Sequence, residues 1–249
     1  MTPDDAFTGA ALRCGVEVAE LTGLDELTAA IRLWAQVWRA ADDPDSIMTM
    51  STLRALAHAG NYVSGAYRDG RLIAASLAFL GAAHLHSHLT GVVSGIRAKG
   101  VGHVLKLHQR AWALRRGIAQ VHWTFDPLVR RNAYFNFQKL GALAPAYLVD
   151  FYGPLYDGLN RGDPSDRLYV VWDLDSDRAE AALRGELAEP EVGKPVATPD
   201  DIESLRNADP DEATRWRHRL REELHGEMSA GQQIAGVTRD GNYMLVEAR

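Results

Sequence analysis

The chain has 249 residues, 46% hydrophobic and 24% charged, a globular composition that excludes disorder and fibrous repeats. Acids outnumber bases by 33 to 27, giving a net charge of -6, the opposite sign from a general nucleic-acid coat. A single cysteine, Cys14, excludes an internal disulfide and a cysteine-rich metal site, and the longest apolar stretch, 73–83, is too short to span a bilayer.

In chain order, residues 1–13 read as a flexible tail. Asp4 and Asp5 stand where a signal peptide needs bases, so a cytoplasmic protein is expected, with neither membrane nor nucleic acid as partner. A weak strand covers 16–21. Thr22 and Asp25 form a capping pair ahead of a helix with the stripe Leu27, Ile31, Trp34 and Trp38, and a shorter helix follows through Leu53 and Leu56. Strands at 62–67 and 72–80 flank Asp69-Gly70, the favoured pair for a tight hairpin, and a third strand covers 86–93. A glycine turn leads into a helix through Leu105, His108 and Trp112 that stops at Gly117. After a strand at 121–125, Asp126-Pro127 opens a helix ended by Gly141, and strands follow at 147–152 and 168–174. Beyond Asp175 the composition turns acidic and alanine-rich. A linker at 190–199 holds three prolines, Asp209-Pro210 caps a helix with the stripe Trp216, Leu220, Leu224 and Met228, and a hairpin turns at Asp240-Gly241. The order predicts an α/β class with a mixed sheet (α+β), a domain over 14–174 and a C-terminal helical and hairpin extension over 175–249.

Between Gly70 and Phe125 there is no acid, yet there are seven bases: Arg71, Arg97, Lys99, Lys106, Arg110, Arg115 and Arg116. Such a segment in a net-negative chain points to a bound anion, or to a solvated helix face whose acids come from elsewhere in the fold. Within it, Arg97-x-x-Gly100-x-Gly102 lies between a strand and a helix. Its glycines let backbone N–H groups approach an anion, the helix offers its positive end, and a pyrophosphate is the natural occupant. A tight structural turn is the alternative. The stretch is not a P-loop, since no Gly-Lys-Ser/Thr follows, and Arg97 replaces the first glycine of the dinucleotide fingerprint.

His86-Ser87-His88 through Val92-Val93, followed by that glycine turn, resembles the fourth strand and pyrophosphate loop of the GNAT superfamily of acyl-CoA-dependent acyltransferases. Trp123-Thr124-Phe125-Asp126-Pro127, Asn132 and Lys139-Leu140-Gly141-Ala142 resemble its fifth strand and next helix, and Leu105 to Arg110, Asn132-Ala133 and Ser165 to Leu168 resemble one poorly characterised subgroup. Some members of that subgroup are encoded near N-acylamino-acid racemases and taken to N-succinylate amino acids, an analogy about neighbours.

The resemblance implies a GNAT-like fold with splayed central strands. Acetyl-CoA or another acyl-CoA would be the co-substrate, with no metal. The pantetheine arm would pair near Val92 and Val93, and the pyrophosphate would sit on the turn formed by Arg97, Ala98, Lys99, Gly100, Val101, Gly102 and His103. A strand-four amide would polarise the thioester carbonyl. Asn132 and Asn136, four apart, form a polar stripe suited to pantetheine amides or a solvated helix edge.

An amine must lose a proton before it attacks. His86 and His88, two apart on a strand and so on one side, are the candidate bases; alternatively both are hydrogen-bonded strand residues. Asp126 fits a helix cap better. His84 with His86 and His88 invites a metal reading that no nearby Asp, Glu or Cys completes. The superfamily's usual tyrosine proton donor falls at Phe137, which reads as core; Tyr134, Tyr147 and Tyr152 are substitutes, or the CoA thiolate leaves unprotonated.

The leading expectation is direct transfer of an acetyl or other small acyl group, acetyl- or succinyltransferase chemistry, to the primary amine of a small metabolite such as an amino acid. A non-catalytic acyl-CoA-binding module is the alternative, and a protein acyltransferase docking through its acidic extension is a weaker third. The C-terminal hairpin could extend the sheet, cover the acceptor or pair subunits in a homodimer.

Overall fold

Thr2, Pro3 and Asp5 open a helix where the sequence suggests a loose tail. The computed structural model describes residues 2–95, 100–155, 157–159 and 162–248. In it α1 spans Pro3–Cys14: the Thr2 hydroxyl accepts from the Asp5 amide at 3.1 Å, and the Asp5 carboxylate accepts from the Thr2 N–H at 3.0 Å. Left-handed Gly15 closes it. Its buried face is alanine alone (Ala6, Ala10 and Ala11), too weak a stripe to stand out by periodicity.

The chain divides into two compact units, Met1–Val121 and His122–Arg249. The division falls inside the expected 14–174 domain rather than at its end.

The first unit carries β1 (Glu17–Glu20), α2 (Leu24–Val37), α3 (Met50–His58), β2 (Tyr62–Arg68), β3 (Arg71–Leu80), β4 (Leu85–Val92) and α4 (Val101–Leu114). Its strands form an antiparallel meander, β1 on β2, β2 on β3 and β3 on β4. Asp69 and Gly70 both adopt positive φ, 50° and 72°, the backbone of the primed turn that the pair predicts. One sheet face packs on α2, where Leu27, Ile31 and Trp34 meet Val63, Leu77 and Leu89, and the Trp34 indole donates to the Ala75 carbonyl at 3.0 Å. The cap of α2 sits one residue later than the sequence reading placed it, because the longer Glu26 carboxylate reaches back to the Gly23 amide at 2.8 Å.

In the second unit, β5 (Gln120–Phe125) leads to α5 (Arg130–Tyr134), which continues as a π-helical turn over Phe135–Lys139. β6 (Leu143–Leu148) and β7 (Arg167–Asp173) follow in the sheet order β5-β7-β6, so the strand expected at 147–152 begins and ends four residues earlier. Next come α6 (Asp177–Arg184), β8 (Lys194–Val196, inside the proline linker), α7 (Ile202–Ala208), α8 (Pro210–Leu220), a π-helical turn over Arg221–His225, α9 (Gly226–Ser229), β9 (Gln232–Val237) and β10 (Tyr243–Glu247). The last three strands make a second antiparallel sheet, β8-β10-β9. The C-terminal segment is built into this unit. Gln138 donates to the Val237 carbonyl at 2.9 Å, Tyr243 to the Pro127 carbonyl at 2.7 Å, and Arg178 to the Ala235 carbonyl at 3.0 Å. Among the described residues no helix is long and apolar enough to cross a membrane.

Candidate active site

β4 carries an interruption at the histidines. Ala78 pairs with Ser87 and Leu77 with Leu89, leaving His88 as an extra residue, a β-bulge. The two faces prove it. Ser87 accepts from the Lys106 ammonium on α4 at 2.9 Å, while Leu89, two residues on, packs in the α2 cluster on the opposite face. The bulge breaks the regular alternation used to place His86 and His88 on one side, yet both rings gather around Phe79 of β3. Phe79 stacks on His86 at 4.9 Å and lies 5.4 Å from His88, and the two imidazoles are 6.2 Å apart. His88 keeps contact with solvent, and desolvation by the surrounding protein lowers its pKa, favouring the neutral imidazole. His84 closes the β3–β4 turn, where its carbonyl accepts from the Gly81 amide at 2.8 Å.

Past β4 the Val93 N–H donates to the Ile73 carbonyl at 3.0 Å, so its amide is committed to β3. By antiparallel alternation the neighbouring Val92 turns its amide and carbonyl away from β3. Arg97, Ala98 and Lys99 lie outside the described residues. Gly100, with φ of 80°, is the N-cap of α4 and, as a glycine, supplies no side-chain cap to that helix. A Cβ on Gly102 would come 3.7 Å from the Val92 side chain, an ordinary contact, whereas one on Gly100 would come 3.1 Å from the Cys14 sulfur.

The acid-free basic stretch is not a solvated helix face along its length. Lys106 and Arg110 are buried within α4, Arg115 pairs with Asp4 of α1, and the Arg116 guanidinium lies 3.7 Å from the Trp112 ring centroid. Lys106 escaped the sequence reading as anything but a charge. It donates to Ser87 and to the Gln109 carbonyl oxygen, at 2.9 and 3.1 Å, and burial lowers its pKa to about 7. Alongside, Ser64, the Tyr62 hydroxyl and His108 Nδ1 form a buried chain with steps of 2.7 and 2.9 Å, and burial lowers the His108 pKa to about 4.

In the second unit Asn132 is exposed and Asn136 buried, so the polar stripe is divided between surface and interior. Phe137 is core, 1% exposed, with its ring edge-on to Tyr243 at 6.1 Å. The Tyr134 hydroxyl donates to Glu189 at 3.4 Å. Tyr147 donates to Asp166 at 2.6 Å; burial and that carboxylate push its pKa far up, so it holds its proton. Tyr152 is exposed, and its hydroxyl shares a 3.0 Å hydrogen bond with Thr124 of β5.

Asp126 caps its turn, accepting from the Leu128 amide at 3.0 Å, and is also buried against two arginines. Arg217 donates to both its oxygens at 2.9 Å, and Arg206 to one at 2.6 Å. Burial alone would raise its pKa, but Arg217 and Arg206 hold it well below the carboxylate range, so it cannot serve as a base near neutrality. These arginines were missed. The available signal was spacing: Ala213, Arg217, Leu220 and Leu224 fall on one helical stripe, with Arg217 buried where the reading had favoured Trp216.

A family model described as an acetyltransferase (GNAT) domain matches residues 9–134. The chain belongs to the GNAT acetyltransferases. Its fold is also similar to solved members. A ribosomal-protein alanine N-acetyltransferase from Escherichia coli aligns with TM-score 0.51 at 12% identity, over 72% of this chain and 99% of that one. An N-acetyltransferase from Staphylococcus aureus gives 0.52 at 14%, over 64% and 99%, and a probable acetyltransferase from Staphylococcus epidermidis gives 0.52 at 13%, over 63% and 98%. At these identities the likeness is one of fold. No curated protein matches the chain. Membership of this family supports acyl transfer as the reaction class.

Proposed function

We propose that the protein transfers an acetyl or other small acyl group from acyl-CoA directly to the primary amine of a small metabolite, with amino acids the leading acceptor class. The observation that carries this reading is the bulged β4, with His88 at the bulge beside His86 and a glycine N-cap opening α4 soon after the strand. In the proposed reaction His88, or His86 beside it, takes the amine proton. The amine nitrogen bonds to the thioester carbon, the C–S bond breaks, and CoA leaves as thiolate. The pantetheine arm pairs with the end of β4 near Val92 and Val93, and a β4 amide polarises the thioester carbonyl. The segment 97–103 is assigned to the pyrophosphate, and Asn132 and Asn136 to pantetheine. Tyr134 is the remaining candidate proton donor.

Release of free CoA thiol across a panel of amines tests the proposal, and turnover with at least one small amine is expected. Gly102→Trp should abolish acyl-CoA binding; unchanged affinity would remove the loop assignment. The buried Phe137 and the Tyr134–Glu189 contact favour a second reading, a non-catalytic acyl-CoA-binding module. Stabilisation by acyl-CoA with no thiol release from any amine would establish it.

A further inference from the structure

The buried ionic cluster of the second unit does not balance. Two carboxylates, Asp126 and Asp163, face three guanidiniums, Arg167, Arg206 and Arg217. Arg206 and Arg217 claim both acids at 2.6–2.9 Å. Arg167, at the start of β7, is left 3.9 Å from Asp126, and its one hydrogen bond among the described residues runs from Nη1 to the Asp166 carbonyl at 3.2 Å. Including the neighbouring Asp166–Arg221 pair leaves the surplus intact, since that pair is closed at 2.6 Å.

The surplus positive charge therefore sits on Arg167, which is only 8% exposed. Its pKa is lowered, chiefly by burial, against the attraction of Asp126 and Tyr152, with the repulsion of Arg217 and Arg206 adding to the lowering. A buried cation in that condition is stabilised by an added anion. Nε and Nη2 receive no hydrogen bond acceptor from the described residues, and they form the edge of the fork that matches a carboxylate. The guanidinium carbon lies 5.6 Å from the ring of exposed Tyr152, which is hydrogen-bonded to Thr124 of β5. By the family resemblance, β5 corresponds to the superfamily's fifth strand, one of its splayed central strands.

We propose that Arg167 receives a substrate carboxylate, gripped through Nε and Nη2 beside the Tyr152 ring. The carboxylate belongs either to an amino-acid acceptor or to a dicarboxylic acyl group on CoA. The inference rests on the acyl-transfer reading above and narrows its substrate class. Lysine would not replace Arg167, because a point charge lacks the planar fork.

The test compares amino acids with their carboxamides as acceptors for acetyl-CoA, and succinyl-CoA with acetyl-CoA as donors to a carboxamide, in the wild type, R167M and R167K. One of the two carboxylate preferences should reach about 100-fold in kcat/KM, as expected for a bidentate charge-assisted pair. It should fall toward parity in R167M and only partly persist in R167K, with the loss in the KM of the carboxylate-bearing substrate. Whichever preference appears identifies the source. Two ratios near one in the wild type, or a preference that survives in R167M, overturns the assignment while leaving acyl transfer standing. If no pair releases thiol, thermal stabilisation decides. Stabilisation of the wild type but not R167M by an amino acid or by succinyl-CoA keeps the carboxylate site and discards transfer; no difference discards both. R167M removes the unbalanced cation, so its denaturation midpoint should not fall, and that measurement verifies the comparison.

Discussion

Lys106 brings a long aliphatic stem and one ammonium into the interior, where desolvation works against the charged form. Its folded pKa of about 7 lies well below the ordinary lysine value, so between these two limits the unfolded chain binds more protons. Stability should therefore rise with pH through this window and fall as pH drops toward 7. Lys106→Met removes that dependence. Denaturant unfolding at pH 7 and pH 9 should show the wild type gaining up to about 2–3 kcal/mol relative to the variant, one proton at about 1.4 kcal/mol per unit. Equal gains would show that Lys106 keeps its charge. If His88 is the proposed base, its lowered pKa should place the acid limb of kcat/KM below the ordinary imidazole value. Changing His86 or His88 to Ala, separately, should cost about 100-fold or more in turnover for whichever is the base, with acyl-CoA affinity little altered. Undiminished turnover in both variants would end the histidine proposal. Asp126→Asn should destabilise by about 3–5 kcal/mol in denaturant unfolding, since Arg206 and Arg217 would lose a buried counter-charge.

Among the elements, Gly141 ends the helical segment after α5 with φ of 69°, and a Cβ there would come 2.6 Å from the Arg178 carbonyl of α6. Gly141→Ala combines a left-handed backbone with a backbone clash and should lower the unfolding free energy by about 2–4 kcal/mol, read by denaturant titration. Helices α2, α4 and α8 and strands β2 to β4 were legible because large apolar residues recur at the right period or a strong turn pair separates them. The elements that were not legible have physical reasons. α1 buries only alanines, β6 runs through Pro145 with a register shift between Leu143 and Ala146, and β8 is three residues with Pro195 inside a proline-rich stretch. Of the proposed site, the sequence offered only candidates, the histidines of β4 and the glycines at the start of α4. The bulge was not legible, because an extra strand residue is defined by the partner strand rather than by local sequence. Buried Lys106, Arg206 and Arg217 were hidden for a related reason: burial of a charge depends on partners distant in the chain, and periodicity assigns charges to the surface.

Over the whole molecule, the acidic and alanine-rich composition beyond Asp175 suggested an appendage. Tertiary structure instead supplies Arg206 and Arg217 from that region to Asp126 and Asp163. A chain ending at Asp175 would keep the two carboxylates and lose both arginines, the β9–β10 hairpin and the Tyr243 bond to Pro127. It should not yield a cooperative unfolding transition for the second unit. A shortened protein that melts cooperatively with full acyl-CoA turnover would mean that the segment is separable after all. The closed pairs have low exposure, so added salt should weaken the cluster far less than surface pairs such as Arg115–Asp4.

The contact between Cys14 and Gly100 has a practical side. The chain holds one sulfhydryl, and it adjoins the residue from which α4 springs. A maleimide dye attached there would need no engineered cysteine or removal of competing thiols, placing a single-site optical reporter at the threshold of the glycine turn.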